Sequence, residues 1–118
     1  MNYIAKDKTI IFRPNFNKEI EPGLLEKYLN VIFSDYELNE DLFECYKNND
    51  LDNLRYIGSY FNQQVKLPPN LIHLTFGCDF NQQVNLPLNL THLTFGRAFN
   101  QQVNLPPNLT YLTFGEDF

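Results

Sequence analysis

The side chains best equipped for chemistry in this chain are two histidines, His73 and His92, and two cysteines, Cys45 and Cys78. Beside them stands an acidic run of Asp35, Glu37, Glu40, Asp41 and Glu44. His73 and His92 occupy the same place in consecutive copies of a repeat, so a folded array sets them one coil apart. A metal needs three or four ligands of suitable type. Asn53 and Tyr111, which continue the column, are poor additions, and no metal is expected. Neighbouring imidazoles resist double protonation, which predicts a mild weakening at acidic pH. Two cysteines are not a disulfide framework. Paired carboxylates do acid–base work when a cleft holds them, but the acidic run reads as the solvated face of a helix and turn. No nucleophile stands beside a base, and there is no Gly-rich phosphate loop, His-Glu-x-x-His or Cys-x-x-Cys. The chain reads as non-enzymatic, with no catalytic or metal residues and no cofactor.

The element that must position these residues is a tandem repeat. Phe61-Asn-Gln-Gln-Val65-Lys-Leu67-Pro-Pro-Asn70-Leu71-Ile-His73-Leu74-Thr75-Phe76-Gly77-Cys78-Asp79 recurs with small changes at 80–98 and 99–117, and Phe118 is the first letter of a further copy. A fixed period of this kind marks a solenoid or array. Residues 1–60 carry weaker echoes. Ile10 and Phe12 align with Leu74 and Phe76, so a divergent copy begins at Phe16. Leu38-Asn39-Glu40-Asp41-Leu42 resembles Phe61-Asn62-Gln63-Gln64-Val65 and suggests another start, with Leu51-x-x-Leu54-x-Tyr56 as its strand. Residues 22–33 fit either a helix or a strand, and the preferred reading is a short helix at 22–27 followed by a strand at 29–33. Leu42 to Tyr46 reads as helix and Lys47 to Asp50 as turn.

Within one copy, Leu71-x-x-Leu74-x-Phe76 forms a short strand that stacks in parallel on its equivalents. Leu74 and Phe76 then point to one face, which Phe61, Val65, Leu67 and Leu71 close from the other sides. Leu67-Pro68-Pro69 suits an extended return path. Gly77 is expected to supply a positive-φ turn. Asn62, Asn81 and Asn100 form a column able to bond the next coil's backbone, with the Gln pairs as surface ladders.

The letters flanking the inward Leu face the concave side and form two columns: Asn53, His73, His92, Tyr111, and Arg55, Thr75, Thr94, Thr113. A third set, Ser59, Cys78, Arg97 and Glu116, lies on the turn. The core letters hold while these vary, as on an interaction face built over a repeated scaffold.

The net charge of −5 argues against a phosphate-binding surface and hence against nucleic acid. Apolar content of 43% places the chain among folded domains. Charge is concentrated in residues 1–60, while 61–118 hold only Lys66, Arg97, Asp79, Glu116 and Asp117. The first residues carry no apolar signal segment, and no stretch reaches the length of a membrane helix. The expected setting is cytoplasmic and reducing rather than secreted, with no membrane partner.

Phe-Asn-x-x-Val…Leu-Pro-x-Asn-Leu-x-x-Leu-Thr-Phe-Gly resembles the FNIP repeat, strongly over 61–118 and weakly over 10–60. Gln63-Gln64 stands where that family has Ile-Pro, and the copies are shorter than usual. The family is similar to leucine-rich repeats and occurs in slime moulds and giant viruses of amoebae. The resemblance implies a solenoid that binds protein, in the host cytoplasm if the chain is viral. Some relatives carry an F-box, of which residues 1–60 show no convincing trace.

The expected fold is α/β to mostly β: a leucine-rich-repeat-like solenoid of short parallel strands, with 1–60 as a partly helical, irregular cap of degenerate repeats and 61–118 as three full copies in one continuous domain. The leading function is protein–protein interaction through Asn53, Arg55, His73, Thr75, His92, Thr94, Tyr111 and Thr113. The alternative is a structural component that forms homo-oligomers through an open C-terminal coil.

Overall fold

Apolar letters spaced two apart put Leu74 and Phe76 on one side of a strand and His73 and Thr75 on the other. The computed structural model, which describes residues 1–115, gathers such segments into one six-stranded sheet ordered β1-β2-β3-β4-β5-β6. The strands are β1 (Tyr3–Lys6), β2 (Thr9–Phe12), β3 (Asn30–Phe33), β4 (His73–Thr75), β5 (His92–Thr94) and β6 (Tyr111–Thr113). From β2 to β6 every pairing is parallel, and Ile10, Val31, Leu74, Leu93 and Leu112 lie in register. The chain is a β-solenoid of the leucine-rich-repeat-like kind, with, among the described residues, one 3-10 turn at Leu24–Lys27 and one short helix, α1 (Leu42–Lys47).

β1 was not foreseen in the sequence. It runs antiparallel to β2 through a turn in which Asp7 takes φ 54°, and Tyr3 packs on Phe12 with ring centroids 5.6 Å apart. The first coil edge is therefore covered by a hairpin strand.

Two columns of phenylalanine hold the coils together. Phe12, Phe33, Phe76, Phe95 and Phe114 stack at successive centroid distances of 5.0, 5.5, 5.7 and 5.5 Å. Phe16, Phe61, Phe80 and Phe99 stack at 5.9, 6.0 and 6.1 Å. The columns meet inside each coil, with Phe76 on Phe80 and Phe95 on Phe99 at 3.7 Å. Each such pair is worth about 0.5–1.5 kcal/mol beyond the area it buries. The return path is extended and makes no ladder. Pro68 and Pro87 are buried on it, and their carbonyls accept from Leu71 and Leu90 N–H as the chain turns back toward the strand.

The asparagine column forms as expected. Asn62 N–H donates to Asn17 Oδ1 (2.9 Å), Asn81 N–H to Asn62 Oδ1 (2.8 Å) and Asn100 N–H to Asn81 Oδ1 (2.9 Å). The glutamines interlock with it rather than forming separate ladders. Gln82 and Gln101 donate to the Asn62 and Asn81 side chains of the coil before, and accept from Gln64 and Gln83.

The glycine after each strand serves a different purpose from the one expected. Positive φ occurs at Gly23 (86°) and Gly58 (93°), not at Gly77. A Cβ at Gly77 would lie 2.7 Å from Asp35 Oδ1 and 2.9 Å from the Phe33 carbonyl. A Cβ at Gly96 would collide with the Gly77 carbonyl, and one at Gly115 with that of Gly96. The requirement is close approach of stacked backbones, not a left-handed turn.

The second correction concerns Leu38. No coil begins there, and Leu51-x-x-Leu54-x-Tyr56 forms no strand of the sheet. β3 pairs directly with β4, and Phe61 stacks directly on Phe16. Residues 35–58 leave the solenoid after β3 and return before Ser59. Asn39 does not hand its oxygen to a following coil; it accepts from Asp41 N–H in its own turn (2.8 Å). Leu42 on α1 is fully buried against Ile11 and Ile32, with Leu38 and Leu54 packed beside them in a second, smaller core. The expected helix at Leu42 and the turn near Asn49, with φ 53°, both form.

Candidate functional site

The strand face opposite the phenylalanine core carries the polar columns. Asn30, His73, His92 and Tyr111 lie in register along one, and Ile32, Thr75, Thr94 and Thr113 along the other. Six of the expected face residues are thus brought together: His73, Thr75, His92, Thr94, Tyr111 and Thr113. Asn53 and Arg55 are not among them. Both are exposed on the excursion, and Asn30 and Ile32 hold the places assigned to them. The signal was present in the repeat alignment, since matching Val31 and Phe33 to Leu74 and Phe76 sets Asn30 beside His73. Of the turn set, Glu116 lies outside the described residues, as does Phe118.

A groove of about 790 Å³ runs over this face. The sheet columns form its floor. α1 and the turn after it contribute Phe43, Tyr46, Lys47 and Leu51 as one wall, and the β1–β2 turn contributes Lys6 and Lys8 at one end. Sequence reasoning missed that wall because it took the excursion for a coil.

A hydrogen-bonded chain orders the first column. Asn30 Nδ2 donates to Thr9 Oγ1 (3.0 Å), which turns Asn30 Oδ1 toward His73 Nδ1, with which it makes a hydrogen bond. The His73 and His92 rings lie 4.4 Å apart at 54°, and Tyr111 stacks on His92 at 5.9 Å and 20°. Burial, and then the neighbouring His92, hold the His73 imidazole below its ordinary value of 6.5. Among the described residues no three His, Cys, Asp or Glu side chains group as metal ligands. No helix among them is long and apolar enough to cross a membrane.

The excursion is fastened at its neck by Asp35. Its carbonyl accepts from Ile57 and Gly58 N–H (2.8 and 3.0 Å), and its Oδ1 accepts from Ser59 and Cys78 N–H (2.7 and 2.8 Å). Burial nevertheless raises the carboxyl above its ordinary 3.8, outweighing those two bonds. Ser34 Oγ is fully buried; it donates to the Tyr36 carbonyl, accepts from Tyr36 N–H and meets the Tyr46 hydroxyl at 3.0 Å. Burial pushes the Tyr46 phenol and the Cys78 thiol upward, so neither is primed as a nucleophile.

Stacked parallel strands, a phenylalanine spine and a surface that changes from coil to coil define a tandem-repeat solenoid. The family model for the FNIP Repeat matches residues 61–87 and 80–117, and the chain is an FNIP repeat-containing protein. No curated protein and no solved structure matches it.

Proposed function

We propose that this protein is a non-enzymatic scaffold that binds another protein through the strand face bearing His73, His92 and Tyr111. The observation that supports this is the groove of about 790 Å³ over a column that reads Asn30, His73, His92, Tyr111 while Leu74, Leu93 and Leu112 beside it repeat. A rigid spine with a variable face is how solenoids present binding surfaces. The raised pKa values of Tyr46 and Cys78 favour a scaffold over a catalyst. The reducing interior of a cell suits two free thiols.

Affinity capture with the folded chain tests this. The variant His73→Ala/His92→Ala/Tyr111→Ala should keep its circular dichroism spectrum and lose the captured protein. Equal capture by both forms would sink the reading.

A second reading, self-association through the coil that carries β6, is favoured by one feature. Leu112 is 37% exposed where its equivalents Leu74 and Leu93 are 1% and 0% exposed. Light scattering over a concentration series on wild type and Thr113→Lys separates the two. A mass that rises in wild type and not in the variant supports assembly; a monomer throughout counts against it.

A further inference from the structure

The hydrogen bonds of His73 fix where its proton lies. Asn30 gives its amide hydrogens to Thr9, so its Oδ1 faces His73, and His73 Nδ1 must be the donor there. Thr91 Oγ1 meets His92 Nδ1 at 2.9 Å and also reaches the Ile72 carbonyl (3.4 Å). In the neutral imidazole one nitrogen carries the proton and the other a lone pair. His73 therefore keeps its lone pair on Nε2, and His92, whose Nδ1 is engaged by Thr91, stands beside it on the neighbouring strand, both rings exposed and lining the groove. This arrangement was not visible in the sequence, which shows two equivalent histidines but not the partners of their Nδ1 atoms.

Ring spacing bears on the kind of ion. With a metal–nitrogen distance of about 2.0–2.1 Å, a ring centroid lies about 3.2 Å from the ion, so two rings sharing it have centroids about 4.5 Å apart at a right angle and about 5.2 Å apart at the tetrahedral angle. The observed 4.4 Å matches the right angle. We propose that His73 and His92 form a binding site for a divalent transition metal that takes imidazole nitrogens at cis positions of a square-planar or octahedral shell, of the Cu²⁺ or Ni²⁺ type, with the remaining positions open to water. Such ions favour imidazole and this geometry. Asn30 is a positioning residue: it holds the tautomer and ring of His73 as a second partner of a metal-bound imidazole commonly does. The site does not depend on the protein-binding reading.

Ni²⁺ is the probe, because Cu²⁺ would react with the free thiols of Cys45 and Cys78. Two-dimensional NMR on the intact chain follows the imidazole signals as Ni²⁺ is added, with calorimetry for affinity. Both histidine signals should broaden together and saturate at one equivalent. Asn30→Ala should weaken binding roughly tenfold or more while both rings remain, and His73→Asn or His92→Asn should abolish it. Unchanged histidine signals in wild type would overturn the proposal, even if no variant folds. Binding that survives in His73→Asn/His92→Asn would overturn it too, by assigning the ion to the thiols.

Discussion

Gly96 has no unusual backbone angle, yet a methyl group there would strike the carbonyl of the coil before it. The obstacle is backbone, which cannot rotate away. Gly96→Ala should therefore cost at least the ~1–3 kcal/mol typical of overpacking, read as a lower urea midpoint. Asp35 poses a different case. Its folded pKa is raised, so its contribution to stability is present below the ordinary 3.8 and is lost as pH rises through the folded value. At neutral pH the charge is held at a cost. Asp35→Asn keeps an Oδ1 for the Ser59 and Cys78 amides without that charge, and should match or exceed wild-type stability at neutral pH. Asp35→Ala leaves both amides unpaired, at about 1–3 kcal/mol each. Urea unfolding of the two variants should move in opposite directions or differ by that amount. His73 has the reverse sign. Its folded pKa is lowered, so its stabilisation is complete above 6.5 and is lost as pH falls through the folded value. The melting temperature should hold from about pH 8 to pH 7 and drop toward about pH 5, and His73→Asn should remove part of that drop.

At the scale of elements, the strands of the full copies were readable because alternation and repetition agree at Leu74, Leu93 and Leu112. β2 and β3 were readable by alignment to them. The excursion was not, because Leu38-Asn39 and Leu54-x-Tyr56 imitate coil letters while Leu38 and Leu54 pack in the second core rather than in the coil stack. Asn39 bonds within its own turn, and Tyr56 meets Tyr36 in an antiparallel bridge. Letters alone do not reveal which partner an amide finds. β1 escaped notice because its worth lies in covering an edge rather than in any pattern of its own. The excursion rests on its own small core, and this can be tested. Leu42→Ala removes a fully buried side chain and should cost ~2–5 kcal/mol. Most of that loss should be local. Hydrogen exchange should speed up at the amides of α1 and leave those of β4 and β5 nearly unchanged. Equal acceleration in all three would mean that the excursion and the solenoid unfold as one unit.

Across the whole molecule, position in the stack decides what a residue is worth. Leu93 and Leu112 are the same letter in the same place of the repeat, but the first is fully buried and the second is 37% exposed. Leu93→Ala should cost ~2–5 kcal/mol, whereas Leu112→Ala should fall well below that range, as thermal or urea unfolding will report. Phe80, stacked between Phe61 and Phe99 and pressed on Phe76, sits where a loss breaks both columns. The ~3–5 kcal/mol that Phe→Ala costs is a large part of the ~5–15 kcal/mol a domain holds. The asparagine hand-off has a consequence of another kind. Each oxygen serves the amide of the coil that follows, and the same letter stands on both sides of the seam. A copied stretch such as 80–98, spliced in behind itself, meets at both junctions the contacts it already makes. The gene for such a protein can lengthen or shorten by whole units without inventing a new joint, so array length is free to drift while the design of each unit is not.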